Sequence, residues 1–285
     1  MIKFCNHDNY IKMKRLFAAV FAAMAWLMLP AQNHYTTRED ISYTDKNDEY
    51  SAQRLKLDVH FDTEGNDLPV IVWFHGGGLT GGNKFIPAEL SEQGYVVVAP
   101  NYRLVPGVEV EDCIDDAAEA VAWTFRNISD FGGDPSKIFV AGHSAGGFLT
   151  SMIGLDRSRL AKYDIDADSI AGLIPYSGQA ITHFSDRKSK GIGELTPYID
   201  PAAPLFHVRK DCAPYVIITG DAEEELYGRY EENLYMWRMM RLVGHPDVKI
   251  YKLDGYNHVD MARPAHHILK NEISRILKKR AVITN

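Results

Sequence analysis

The pattern of apolar and polar residues divides the chain into one alternating segment followed by a series of unbroken apolar runs. Between residues 51 and 62, the apolar residues Leu55, Leu57, Val59 and Phe61 alternate with polar ones. This period of two predicts a half-exposed strand, which we expect at an antiparallel edge of a sheet. The apolar runs that follow are continuous, which is typical of strands buried on both faces.

Six such strands are predicted to alternate with helices. The strands are expected at residues 70–74, 95–99, 137–141, 170–175, 215–219 and 248–253. The helices are expected near residues 85–93, 111–127, 145–155, 229–243 and 264–278. Buried strands with intervening helices indicate a largely parallel sheet covered by helices on both faces. The predicted fold class is therefore α/β, a three-layer sandwich whose mostly parallel sheet begins with antiparallel strands.

The N-terminal segment differs in character from this predicted domain. Lys12, Lys14 and Arg15 precede an uninterrupted apolar run over residues 16–29, and small residues follow the run. This order predicts a secretory signal peptide over residues 1–31 and export to the periplasm or the extracellular space. A single-helix membrane anchor is the alternative, although the apolar run is short for a membrane span. The length of the remainder, residues 32–285, suits a single large α/β domain.

The charge balance excludes some classes of partner. Residues 1–31 hold four Lys or Arg and one Asp, so their removal would change the formal net charge from −7 to −10. An acidic chain without a run of basic residues lacks the electrostatic footprint that nucleic acids and anionic membranes require. We expect neither partner after signal cleavage, and a neutral or small-molecule ligand instead. The sequence does not indicate an oligomeric state.

A Gly-x-Ser-x-Gly pentapeptide, Gly142-His143-Ser144-Ala145-Gly146, separates a predicted strand from a predicted helix. A strand–turn–helix of this tightness strains the serine backbone, and side chains two positions before and after it would collide. Ser144 is therefore the candidate nucleophile. The motif is short enough to occur by chance, so other loops at the carboxyl ends of the strands must support it.

The predicted strand at residues 70–74 runs directly into His75-Gly76-Gly77-Gly78. Successive glycines let the backbone approach a ligand closely and turn its N–H groups toward developing negative charge. The amides of Gly77 and Gly78, with that of Ala145, are predicted to form an oxyanion hole.

The same glycines also satisfy G-x-G-x-x-G over residues 76–81, which would indicate a dinucleotide-binding fold. That fold needs an acidic residue at the end of the second strand, where this chain reads Ala99-Pro100-Asn101-Tyr102. The sequence contains neither a P-loop nor an H-E-x-x-H motif. We therefore expect no organic cofactor and no metal.

Two later loops offer a base and an acid for Ser144. His258 lies in the loop directly after the last predicted strand and is the candidate base, because a serine hydroxyl needs a neighbouring proton acceptor. The loop after residues 215–219 carries Asp221 and Glu223, with Glu224 and Glu225 beside them. Because four carboxylates in five residues are not all buried, most should form a solvated face. The order serine, acid, histidine is that of one class of hydrolase sheet.

Together these motifs resemble those of the HGGG serine carboxylesterases of the α/β-hydrolase superfamily, relatives of hormone-sensitive lipase. The resemblance covers roughly residues 50–275. It rests on the segments His75-Gly76-Gly77-Gly78, Asn101-Tyr102-Arg103-Leu104, Phe131-Gly132-Gly133-Asp134-Pro135 and Gly142-His143-Ser144-Ala145-Gly146. The C-terminal half is similar to bacterial secreted feruloyl-esterase-like and acetyl-esterase-like members. Family members carry the acid in Gly-x-x-Asp-x-x-Val/Leu, which Gly220, Glu223 and Leu226 fit. The resemblance thus implies Glu223 as the acid, with Asp221 as the alternative.

The resemblance implies an α/β-hydrolase catalytic domain over residues 32–285 that hydrolyses small or carbohydrate-linked esters of acetyl or feruloyl type. Ser144, Glu223 and His258 would act through an acyl-enzyme. An amide hydrolase with the same triad, either an exopeptidase or an arylformamidase, is one alternative. A non-catalytic binding module on the same scaffold is another. The long connection over residues 178–210 is predicted to form a lid or a wall of the substrate site.

Overall fold

The computed structural model describes residues 34–284, so the predicted signal peptide over residues 1–31 lies outside the described residues. Residues 35–284 belong to one compact unit. Within the described part of the chain, no helix combines the length and the apolar character needed to cross a membrane.

Eight strands in the described residues form a single mixed sheet. They are β1 (Tyr35–Ser42), β2 (Lys56–Asp62), β3 (Leu68–Phe74), β4 (Val96–Pro100), β5 (Gly133–His143), β6 (Gly172–Tyr176), β7 (Tyr215–Thr219) and β8 (Val248–Lys252). Their order across the sheet is β1-β2-β4-β3-β5-β6-β7-β8. The pairs β1–β2 and β2–β4 are antiparallel, and the remaining pairs are parallel. The predicted fold class is confirmed.

Helices cover both faces of this sheet. They are α1 (Glu49–Arg54), α2 (Val110–Asn127), α3 (Ala145–Leu155), α4 (Arg157–Ala161), α5 (Phe184–Ser189), α6 (Arg229–Leu242) and α7 (Ala262–Thr284). One apolar core joins α2, α3 and α6 to residues such as Val70, Val72 and Phe74 of β3. A second core packs α7 against the opposite face, including Ile71 and Trp73 of the same strand. The alternate residues of β3 therefore enter two different cores, as a central strand of a three-layer sandwich requires.

Three sequence predictions in the N-terminal half were wrong. Residues 51–54 of the alternating segment belong to α1, and only Lys56–Asp62 form the strand. β2 is not an edge strand, because β1 pairs with its free side. Residues 85–93 do not form a helix. The backbone amides of Leu90 and Ser91 donate hydrogen bonds to the carbonyl of Pro87, which makes a single turn. The left-handed backbone conformations of Glu92 and Gly94 end this turn. This segment covers the polar face of β2, where the hydroxyl of Ser91 lies 2.9 Å from Nε2 of His60.

Candidate active site

Ser144 lies on a strained turn between β5 and α3. Its backbone has φ 57° and ψ −114°, a conformation that L-residues rarely adopt. A Cβ at Gly142 would lie 2.6 Å from the carbonyl carbon of Gly146, and a Cβ at Gly146 would overlap the carbonyl oxygen of Phe74. Both positions therefore require glycine, as the pentapeptide predicted. The amide of Ser144 donates to the carbonyl of Tyr176 at 2.8 Å, which anchors the turn to the neighbouring strand.

His258 lies in the connection between β8 and α7, within reach of this serine. Its Nε2 is 2.9 Å from Oγ of Ser144. His143 supports the connection, because its Nε2 donates to the carbonyl of His258 at 2.7 Å and its ring packs 4.9 Å from the His258 ring. Burial, with the nearby charge of His258, lowers the pKa of His143 to about 4, so His143 stays neutral near pH 7. The structure thus brings the two predicted residues together.

The carboxylate that meets His258 belongs to Glu225. Its Oε2 is 2.7 Å from Nδ1 of His258, and its side chain is fully buried. Its Oε1 accepts from the hydroxyl of Ser177 and from the amide of Gly220 at 2.9 Å. Burial acts to raise the pKa of Glu225, but the hydrogen bonds from His258 and Ser177 outweigh it and lower the pKa to about 2. Glu225 is therefore an anion that holds the proton of the imidazole on Nδ1.

Neither predicted acid occupies this position. Glu223 is exposed to solvent, two residues before Glu225 on the same loop. Asp221 accepts the amide of Gly255 at 2.7 Å and so ties the loop to the turn after β8. The amides of Glu224 and Glu225 both bond to the carbonyl of Asp221, and this turn directs Glu225 inward. The expectation of Glu223, with Asp221 as alternative, is corrected to Glu225.

The glycine loop after β3 runs beside the serine. Gly77 and Gly78 have φ values of 115° and 63°, which favour glycine. A Cβ placed on Gly76 would lie 3.3 Å from Cβ of Ser144. The amides of Gly77, Gly78 and Ala145 have no hydrogen-bond partner among the described residues. They are available to an anionic oxygen, as the predicted oxyanion hole requires.

Residues 178–210 contact this glycine loop. The hydroxyl of Ser185, in α5, donates to the carbonyl of Gly78 at 2.8 Å. A Cβ on Gly78 would lie 2.8 Å from Cζ of Phe184. The segment thus packs against the backbone of the glycine loop, and its role as a lid or wall of the substrate site stays a prediction.

A cavity of about 790 Å³ lies between Gly76 of the glycine loop and residues on either side of His258 in the chain. Residues that line it include Trp73, Gly76, Phe85, His143, Tyr256 and Val259. Its volume suits a small organic group. No cluster of three or more His, Cys, Asp or Glu side chains in the described residues could hold a metal ion.

Comparisons with known proteins identify the family of this chain. The BD-FAE family model matches residues 57–237, which include Ser144 and Glu225 and end before His258. LipM of Mycobacterium tuberculosis, named a probable carboxylic ester hydrolase, is 30% identical over 220 residues, or 68% of this chain and 49% of LipM. Esterase LipC of the same organism is 26% identical over 276 residues, covering 87% of this chain and 67% of LipC. This chain thus spans about half the length of LipM and two thirds of LipC.

A solved structure described as a truncated form of a carbohydrate esterase from gut microbiota has the same fold. It superposes with a TM-score of 0.71 at 17% identity, covering 87% of this chain and 98% of that one. The resemblance to HGGG-type esterases of the α/β-hydrolase superfamily is confirmed. Because the family model spans well over half of the residues, this chain belongs to the BD-FAE family.

Proposed function

We propose that this chain is a serine carboxylic ester hydrolase that works through an acyl-enzyme. One observation carries the proposal: Nε2 of His258 is 2.9 Å from Oγ of Ser144 while its Nδ1 is 2.7 Å from Glu225. A hydroxyl, an imidazole and a buried carboxylate in this order form the arrangement that activates a serine. The names of LipM and LipC support ester hydrolysis over other reactions of the fold.

In the first half of the reaction, His258 Nε2 takes the hydroxyl proton as Ser144 Oγ attacks the ester carbonyl carbon. The carbonyl oxygen becomes an oxyanion and accepts hydrogen bonds from the amides of Gly77, Gly78 and Ala145. The imidazolium then gives its proton to the alcohol oxygen, the ester C–O bond breaks, and the acyl group remains on Ser144. Glu225 stabilises the imidazolium throughout and keeps the ring in the productive tautomer.

In the second half, water attacks the acyl-enzyme, and His258 takes one of its protons. The tetrahedral intermediate uses the same three amides. When it collapses, the acid leaves and Ser144 Oγ recovers its proton from His258. Each cycle consumes one ester and one water and needs no other reactant.

For the substrate we propose small or carbohydrate-linked esters of acetyl or feruloyl type. The cavity of about 790 Å³ is lined by Gly76 and His143, which neighbour Ser144, and its volume is sufficient for either acyl group. The carbohydrate esterase among the structural neighbours supports a sugar as the alcohol part of the ester. We also propose that the chain is exported, because a basic segment, an apolar run and small residues precede the domain. N-terminal sequencing of the secreted form should then begin near residue 32, and protein confined to the cytoplasm would contradict export.

Ester turnover by Ser144→Ala tests the proposal. We expect the variant to lose about a million-fold in kcat on p-nitrophenyl acetate, because nucleophile and base act as one unit. Wild-type protein should cleave this ester in preference to aminoacyl p-nitroanilides. Its rates on acetylated xylan and on methyl ferulate then show which of the two acyl groups it prefers. Normal ester turnover by Ser144→Ala would refute the mechanism, and a preference for the anilides would favour an amide hydrolase.

A further inference from the structure

Ser177 is a second buried serine that reaches the same histidine. It directly follows β6, and its hydroxyl donates to Oε1 of Glu225. The hydroxyl oxygen of Ser177 also lies 3.3 Å from Nδ1 of His258. Ser177 therefore contacts both the acid and the base, although the reaction described above does not use it.

The backbone of Ser177 is strained. Its φ of 46° lies in the left-handed region, which favours glycine over a residue with a side chain. Two hydrogen bonds hold the residue there: its amide donates to the carbonyl of Ile218 at 2.7 Å, and its carbonyl accepts from Nη1 of Arg229 at 2.5 Å. Strain of this kind persists only where the surrounding structure imposes it, and it is concentrated at functional sites.

A buried ion pair at the start of α6 fixes this segment. Arg229 is only 4% exposed, and its Nε is 3.1 Å from Oε1 of Glu232. The other oxygen of Glu232 accepts the amides of Ala180 at 2.8 Å and Ile181 at 3.0 Å. One carboxylate and one guanidinium thus hold residues 177–181 in place. Since Arg229 follows Glu225 by four residues, the same stretch of chain supplies the acid and clamps the serine beside it.

We propose that Ser177 is a positioning residue, whose hydroxyl fixes the Glu225 carboxylate so that Oε2 faces His258. The inference rests on the proposed function. With Oε1 held by Ser177 and Gly220, the carboxylate is restrained from rotating away from the imidazole. Without this hydroxyl the carboxylate would be less restrained and would stabilise the imidazolium less well.

The other titratable or charged groups near this pair come from two elements. His143, at the end of β5, packs on the His258 ring, and its lowered pKa keeps it neutral near pH 7. Arg229, in α6, interacts electrostatically with Glu225. Neither group changes when the Ser177 hydroxyl is removed, so a shift in the pH profile would report the Ser177–Glu225 bond.

The experiment compares Ser177→Ala with Ser177→Gly on p-nitrophenyl acetate. Both lose the hydroxyl, but glycine relieves the backbone strain and alanine retains it. We expect kcat to fall by about ten- to a hundred-fold in both variants, as for loss of a hydrogen bond to a charged group, with KM unchanged. The acid limb of the kcat/KM profile should move to lower pH in both, because a less restrained carboxylate stabilises the imidazolium less. The melting temperature should be lower for alanine than for glycine.

Ser151→Ala is the matched control. Its hydroxyl is also buried and hydrogen-bonded, to the carbonyl of Gly147 and the hydroxyl of Tyr215, but contacts no residue of the proposed triad. This variant should lose stability while its kcat and pH profile stay those of the wild type.

The outcomes separate the inference from the proposed function. If Ser144→Ala is inactive while both Ser177 variants keep the wild-type kcat and acid limb, the positioning role is wrong and the mechanism stands. The positioning role is also overturned if kcat falls only in the less stable variant, so that Ser177→Ala is impaired while Ser177→Gly has the wild-type kcat. Full activity of Ser144→Ala would instead overturn the proposed function.

Discussion

Glu225→Gln is the sharpest perturbation of the proposed triad, because the surroundings determine how the new amide must turn. Oε1 of Glu225 accepts from Ser177 and from the amide of Gly220, so the oxygen of a glutamine must take that position. Its NH₂ group then faces Nδ1 of His258, where Oε2 lies 2.7 Å away in the wild type. A donor at this position turns Nδ1 into an acceptor and places the ring proton on Nε2.

A proton on Nε2 prevents His258 from accepting the hydroxyl proton of Ser144. The geometry stays almost unchanged, but the tautomer is wrong. The corresponding change of the triad Asp to Asn in a serine protease lowers kcat by about 10⁴-fold. That factor corresponds to about 5.5 kcal/mol of transition-state stabilisation. We expect a fall of this order in kcat on p-nitrophenyl acetate near pH 7, with little change in KM.

Glu223→Gln is the matched control, since it makes the same chemical change two residues away on an exposed side chain. Its kcat should equal that of the wild type. A large loss in Glu223→Gln, with Glu225→Gln close to wild type, would show that Glu223 serves as the acid and that the observed contacts of Glu225 are not used in turnover.

Two further predictions concern stability. The pKa of Glu225 is lowered from 4.5 to about 2, so its stabilising contribution is complete above pH 4.5 and is lost as the pH falls toward 2. The difference in unfolding free energy between wild type and Glu225→Gln, measured with urea, should therefore narrow across that window, and a constant difference would contradict the lowered pKa. Gly146→Ala should lower the melting temperature and abolish turnover, because its Cβ would overlap the carbonyl of Phe74, with overpacking costing about 1–3 kcal/mol. A wild-type melting temperature would show that the turn relaxes freely.

Continuous burial made much of the fold predictable from the sequence. The predicted strand at residues 215–219 and the helix at 145–155 have the observed bounds, because both are buried along their whole length. β1 was missed, since most of its side chains are exposed and backbone pairing with β2, rather than an apolar pattern, holds it in the sheet. An edge strand of this kind leaves little trace in hydrophobic periodicity.

The acid of the site was harder to predict than the nucleophile or the base. Ser144 is identified by glycines that its turn requires, and His258 by its place in the loop after the last strand. Glu225 is one of four carboxylates on a loop, and its selection depends on how the turn from Asp221 orients the chain. The family spacing pointed two residues too early, to Glu223. Local sequence contains no signal for that orientation, because it arises from contacts with Ser177, directly after β6, and with His258.

His258 lies between two strained serines at the ends of neighbouring parallel strands, and their hydrogen bonds explain why only one of them can be the nucleophile. Ser144 and Ser177 have φ values of 57° and 46° and reach Nε2 and Nδ1, respectively. Since the hydroxyl of Ser177 already donates to Glu225, its proton points to a carboxylate and its oxygen is buried. The Ser144 hydroxyl has the imidazole as its partner and the free amides of the glycine loop beside it. The same strained backbone conformation thus occurs after two adjacent strands. The position of the Glu225 carboxylate makes one serine the proposed nucleophile and the other the proposed positioning residue.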